Sequence, residues 1–192
     1  MIKDGLKETG VVNSFLMIGQ SNMCGRGDMG DVEEIVNYDC FMLRMGRWQP
    51  MSEPINADRA FKGIEFASGA CLAASFADEL NKKTGSKIGL IPCADGGTKL
   101  SQWMPGELNY DHALYMTRLA LRTSELKAIL WHQGESDCDC EENVVTYKER
   151  FIKMIITGIS GMPISSLNDV IILMNLSLYV TTFSSQSQSL SP

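Results

Sequence analysis

The chain has 192 residues, enough for one domain with an ordinary core. It is 44% hydrophobic and 21% charged, the composition of a globular protein. A net charge of −6 argues against nucleic acid or an anionic membrane as the main partner, because either would need a basic surface.

The opening residues, MIKDGLKETG, carry charge around no apolar centre and do not read as a secretory signal. No uncharged apolar run is long enough to span a bilayer. A cytoplasmic location is the expectation. Val12 to Ile18 reads as a buried strand and stops at Gly19-Gln20-Ser21-Asn22-Met23. Met29 to Ile64 has few periodic segments and reads as long loops. Phe66 to Leu80 has apolar residues at Phe66, Ala70, Ala73, Phe76, Ala77 and Leu80, which is helical spacing broken at Gly85. Lys87 to Cys93 is a second short strand, followed by Ala94-Asp95-Gly96-Gly97-Thr98. Ala113 to Arg122 reads as helix. Leu126 to Trp131 is a third strand, ending in His132-Gln133-Gly134-Glu135-Ser136. Glu141 to Ile156 is a helix with acidic residues in its first turn, where the helix dipole favours them.

Beyond Arg150 only Lys153 and Asp169 are charged. Asp169 to Val180 has strand composition, and TTFSSQSQSLSP is too polar to pack. The chain therefore divides into residues 1–153 and a divergent segment, 154–192.

Strands alternating with helices imply a parallel sheet covered on both faces, with sites at the carboxyl ends of the strands. One small or polar corner is a turn. Three at equivalent ends of one sheet converge. Ester hydrolysis needs a nucleophile, a base and donors for the oxyanion. Ser21, just past a strand, suits the nucleophile, although a turn serine remains open. Its N–H, a backbone N–H from Gly96-Gly97 and the Gln133 amide are donor candidates. Glu135 suits a loop-fixing role, its carboxylate accepting backbone N–H groups. Trp48, Trp103 and Trp131 are core residues or a sugar platform, with Trp103 the best platform candidate.

Six scattered cysteines read as free thiols. Cys138-Asp-Cys140 lacks a second pair at a matching spacing, and His112 and His132 are the only histidines. No metal site and no cofactor are expected.

Gly19-Gln-Ser-Asn-Met23, Gly96-Gly-Thr98 with Trp103 downstream, and Trp131-His-Gln-Gly-Glu135 resemble the serial blocks of an SGNH-type esterase. The similarity is to the sialate O-acetylesterase-like and acetylxylan-esterase branch, in the right order, over about Val12 to Phe151. The resemblance implies a flavodoxin-like three-layer α/β/α sandwich with a central parallel sheet, the SGNH hydrolase fold. It implies removal of acetyl groups from an acetylated carbohydrate. It also implies Ser21 as nucleophile, with the Ser21 N–H, the Gly97 N–H and the Gln133 amide as oxyanion hole. Gly96, Glu135 and His132 would support the site, and Asn22 and Trp103 would face substrate.

The resembled pattern takes its base from a late Asp-x-x-His, and no histidine follows His132. The expectation is a fold that is incomplete at its carboxyl end, through truncation or frame shift, and an impaired esterase. The alternative is an inactive fragment that still binds carbohydrate. His132 should point away from the site if Gln133 points into it, because neighbours on an extended segment face opposite ways. His112 has no aspartate three residues before it.

Overall fold

The structure, a computed structural model, describes residues 10–56, 68–159 and 171–174. Its elements are β1 (Val12–Gly19), α1 (Ser21–Cys24), β2 (Cys40–Arg44), β3 (Arg47–Pro50), α2 (Leu72–Thr84) and β4 (Ile88–Pro92). They continue with α3 (Leu108–Ala120), β5 (Ser124–His132), α4 (Glu141–Ile159) and β6 (Ile171–Met174). Short 3-10 turns lie at Leu100–Trp103 and Glu135–Asp137.

The strands form one sheet in the order β3-β2-β4-β1-β5-β6. Every neighbouring pair is parallel except β2 with β3. Without the β2–β3 hairpin the order is second, first, third, fourth, the flavodoxin pattern. β1 lies in the centre, and seven of its eight residues are buried. Its side chains alternate between two cores. Phe15 and Met17 pack with Ala73, Ala74 and Ala77 of α2. Leu16 and Ile18 pack with Ala113 and Ala120 of α3 and with Phe151 and Met154 of α4. The expected three-layer sandwich is therefore present. A register slip between Ser14 and Phe15 turns Leu126 and Ile129 of β5 to the same layer despite their odd spacing.

From β1 the chain crosses to β4 through α2 on one face, then to β5 through α3 on the other. The reversal puts a topological switch point at the carboxyl end of β1, between β4 and β5, where open α/β sheets bind ligands.

Several boundaries differ from the expectation. The helix read from Phe66 begins at Leu72. Residues 66 and 67 lie outside the described residues, and Gly69 and Ala70 are held extended by bonds to Gly25 and Gly27. α3 starts five residues earlier than the periodicity indicated. The span read as long loops holds the β2–β3 hairpin. Its two-residue turn, Met45-Gly46, has positive φ at both positions (51° and 75°), the geometry that matches strand twist. Trp48 of β3 lies over β4 at Gly89, where a Cβ would come within 2.7 Å of the indole. The indole Nε1 donates to Thr123, so Trp48 is a packing residue. α4 runs unbroken through residues 153 and 154, and β6 occupies four residues of the expected late strand. The rest of that strand and the polar tail lie outside the described residues. None of the six cysteines, all among the described residues, forms a disulfide. Among the described residues no helix is long and apolar enough to cross a membrane.

Candidate active site

The first corner is built by backbone geometry. Gly19 has φ +134°, and a Cβ there would lie 2.1 Å from the His132 carbonyl oxygen. Only glycine fits, because β1 and β5 are still paired at this level. The Gln20 N–H donates to the His132 carbonyl at 2.9 Å, and the chain then turns into α1. The Gln20 carbonyl accepts the N–H groups of Met23 and Cys24, both at 3.0 Å. Ser21 is the first residue of α1 and is half-buried; Asn22 is exposed. Neither residue's N–H has a partner among the described residues. Met23 and Cys24 anchor the turn in the core facing α2. Asn56, itself buried, donates to both of their carbonyls and holds the turn from behind.

The second corner follows β4. The Asp95 N–H donates to the Gly19 carbonyl at 2.9 Å, which carries the β4 line past the end of β1. Gly96 and Gly97 then turn, and Gly97 is exposed with φ +73° and open space where a Cβ would stand. The Thr98 hydroxyl donates to the Asp95 carbonyl at 2.8 Å and accepts from the Trp103 indole at 3.1 Å. Trp103 is 1% exposed and meets Trp131 edge to face at 5.7 Å. The expectation of a sugar platform at Trp103 is therefore corrected. Its ring fills the core, and its N–H fixes the second corner.

The third corner is built by side chains. Gln133 is 2% exposed. Its Nε2 donates to the Thr98 carbonyl at 3.0 Å and to Asp137 Oδ2 at 2.7 Å. Tyr147 Oη, on α4, lies 2.7 Å from Gln133 Oε1 and 2.9 Å from the Gln133 carbonyl; one hydroxyl hydrogen serves both. This orientation of the amide is the only consistent one, since a flip would set its oxygen against a carbonyl and a carboxylate. Both amide hydrogens are spent. Gln133, expected to donate to an oxyanion, is instead a latch between the second and third corners.

Asp137 was passed over by the sequence reading. It is 2% exposed, and its Oδ2 also accepts the Leu100 N–H at 2.8 Å. Arg150 of α4 donates to Oδ1 at 2.9 Å and also reaches the Asn143 carbonyl and Thr146. The loop-fixing carboxylate expected at Glu135 is thus supplied by Asp137. Glu135 is exposed and accepts from the Asn22 side chain, beside Ser21. Gln20, also missed, crosses from the first corner to the third, its buried Oε1 accepting the Ser136 N–H at 3.2 Å. No local pattern marks these partners, because they meet only in the folded chain.

Lys99 pairs with Asp139 across the second and third corners. The Lys99 ammonium, helped by Asn143, holds the Asp139 carboxyl down at about 2. Burial pushes the Tyr147 hydroxyl well above its ordinary range, so it remains a donor. Trp131 and Gln133, on either side of His132, both reach Tyr147. His132 Nδ1 is buried and has no hydrogen-bond partner among the described residues. Burial of His112 on α3 lowers its basicity. Among the described residues no cluster of His, Cys, Asp or Glu is arranged to hold a metal ion.

The sequence profile described as "Carbohydrate esterase, sialic acid-specific acetylesterase" matches residues 11–177. The chain belongs to that family. It is similar to a probable carbohydrate esterase of Arabidopsis thaliana, 34% identical over an alignment of 140 residues that covers 64% of this chain and 54% of that protein. The chain thus spans about half the length of this curated relative. An X-ray structure of an Arabidopsis thaliana protein superposes with a TM-score of 0.73 at 23% identity, over 89% of this chain and 88% of that one. A carbohydrate acetylesterase from Xanthomonas citri superposes with a TM-score of 0.56 at 21% identity, over 84% of this chain and 41% of that one. These structural likenesses establish the SGNH-like fold of this family member.

Proposed function

We propose that this chain carries a serine esterase site that removes acetyl groups from carbohydrate hydroxyls, of the acetylxylan or sialate type. The observation that carries the reading is the position of Ser21. It lies one residue past the central strand, at the switch point of the sheet, its N–H without a partner among the described residues, and the open Gly97 turn follows the neighbouring strand. Ser21 Oγ adds to the acetyl carbonyl carbon and gives its proton to a general base. The Ser21 and Gly97 N–H groups take the charge on the carbonyl oxygen, and the loss of one such donor costs about 3 kcal/mol of barrier. The C–O bond to the sugar breaks, and the sugar hydroxyl leaves with the proton. Water then attacks acetyl-Ser21, releasing acetate and restoring the hydroxyl. Glu135 holds Asn22 beside the nucleophile. The reaction in this form uses no metal or organic cofactor.

The base is the weak point of the cycle. Neither histidine follows an aspartate by three residues, the spacing of the resembled base. Without a paired base, the oxyanion donors and substrate binding still leave roughly 10³-fold to 10⁴-fold acceleration over water. The second reading, a carbohydrate cleft without turnover, is favoured by one observation: both Gln133 amide hydrogens are committed elsewhere. Hydrolysis of para-nitrophenyl acetate by the folded chain, beside Ser21→Ala, separates the two. Turnover lost in the variant supports the esterase. Equal inertness, with binding of an acetylated xylo-oligosaccharide, supports the cleft.

A further inference from the structure

Asp137 is a buried carboxylate to which both later corners of the site are tied. Its Oδ2 takes the Leu100 N–H, which follows the Gly96–Lys99 loop, and the Gln133 Nε2–H. Its Oδ1 takes Arg150 Nη1 from α4. A carboxylate at 2% exposure needs such donors, because an ion taken out of water without them is strongly disfavoured. The arrangement also fixes direction. Three donors converge on two acceptor oxygens, so the isosteric amide of asparagine must turn an NH₂ against Arg150 or against the Leu100 and Gln133 donors. Gln133 is the second strut, since it binds Thr98 as well as Asp137. Gly97 itself makes no side-chain contact that would hold it. The segment that carries its N–H is fixed through Asp95 on one side and through Thr98, Lys99 and Leu100 on the other.

We infer that Asp137 is the positioning residue of the site, acting through Leu100 and Gln133 to set the direction of the Gly97 N–H, with Arg150 holding the carboxylate in place. This rests on the esterase reading, in which Gly97 supplies an oxyanion donor. A donor about 1 Å out of place costs roughly a hundredfold in rate while substrate binding persists.

The test uses the full chain and para-nitrophenyl acetate, with Ser21→Ala, Asp137→Asn, Gln133→Ala and the double variant, each checked for a cooperative melt. Wild type against Ser21→Ala judges the esterase reading on its own. Expected for folded Asp137→Asn is a kcat about a hundredfold lower with KM within about twofold, the signature of an interaction felt mainly in the transition state. The double variant is expected to be no worse than the poorer single variant, because the two residues act as one unit. In ¹⁵N spectra the Gly97 amide and the Gln133 side-chain NH₂ should move in Asp137→Asn while α2 signals stay fixed. Those signals decide the matter even if the wild type is inert. If Asp137→Asn does not fold, Arg150→Lys is measured instead, with the same direction of change expected. An unchanged kcat in a folded variant, additive losses in the double variant, or unmoved Gly97 and Gln133 signals would overturn the assignment.

Discussion

The Ser21 corner and the Gln133 corner look alike as strings: each follows a buried strand, and each is small or polar. They are held in opposite ways. At Ser21 the main chain is the fixture, through the Gly19 contact with β5 and the bonds to the Gln20 carbonyl. The side chain and N–H of Ser21 are left for other partners. At Gln133 the side chain is the fixture, and every polar hydrogen it has is used within the fold. A residue that holds a loop by its side chain has nothing left to offer a substrate. One that is held by its backbone does.

The comparison breaks first at Gly19. Gly19→Ala forces a Cβ to 2.1 Å from the His132 carbonyl at a positive φ, so β1 and β5 must part at the switch point. The expected cost is roughly 3 kcal/mol or more of unfolding free energy, read as a lower midpoint in urea, with hydrolysis lost. Alanine in place of the half-buried Ser21 should change stability by no more than about 0.5 kcal/mol while removing turnover. Equal stability losses at the two positions would erase the distinction drawn between fixture and free group.

Trp103 sharpens the same contrast from within the core. Trp103→Phe shrinks the buried ring and removes the indole donor to the Thr98 hydroxyl, which keeps its bond to the Asp95 carbonyl; the change should cost about 1–3 kcal/mol in a thermal or urea melt. KM for an acetylated oligosaccharide should stay where it was. A raised KM with unchanged stability would restore the sugar-platform expectation.

The smallest effect lies at the Lys99–Asp139 pair, whose two side chains are partly open to solvent. Asp139 has a folded-state pKa near 2, below its ordinary 3.8, with Lys99 the main cause. Its contribution is therefore present above the unfolded value and is lost as the pH falls from the ordinary carboxylate range towards 2. Asp139→Asn should flatten that part of the stability curve slightly and leave neutral pH almost unchanged. A melting-temperature series between pH 2 and 7 at low salt reads it.

What was legible in the string follows from the same physics. β1, β4 and β5 each carry an apolar run, as strands buried on both faces do, and each is followed within a few residues by a glycine-bearing cluster. Their alternation with helices was enough for the layer order and for the convergence of the three corners. The β2–β3 hairpin was not legible. Its strands are short and partly exposed, and a Met-Gly turn lacks the usual Asn-Gly signal. The Asp137 clamp was invisible for a different reason. Gln133 is a near neighbour of Asp137 in the chain, but Leu100 and Arg150 come from other segments, and no local period links a buried carboxylate to them. Gln133 and Trp103 were read from their positions in a motif, and burial then decided their work.

The central claim is that Ser21 is open for chemistry at a corner that its own side chain takes no part in holding. The most direct measurement is intact mass and peptide mapping after brief mixing of the folded chain with para-nitrophenyl acetate. The account predicts an acetyl group on the peptide that contains Ser21, absent from Ser21→Ala. Acetylation confined to other residues, or none at all on a chain that melts cooperatively, would contradict it.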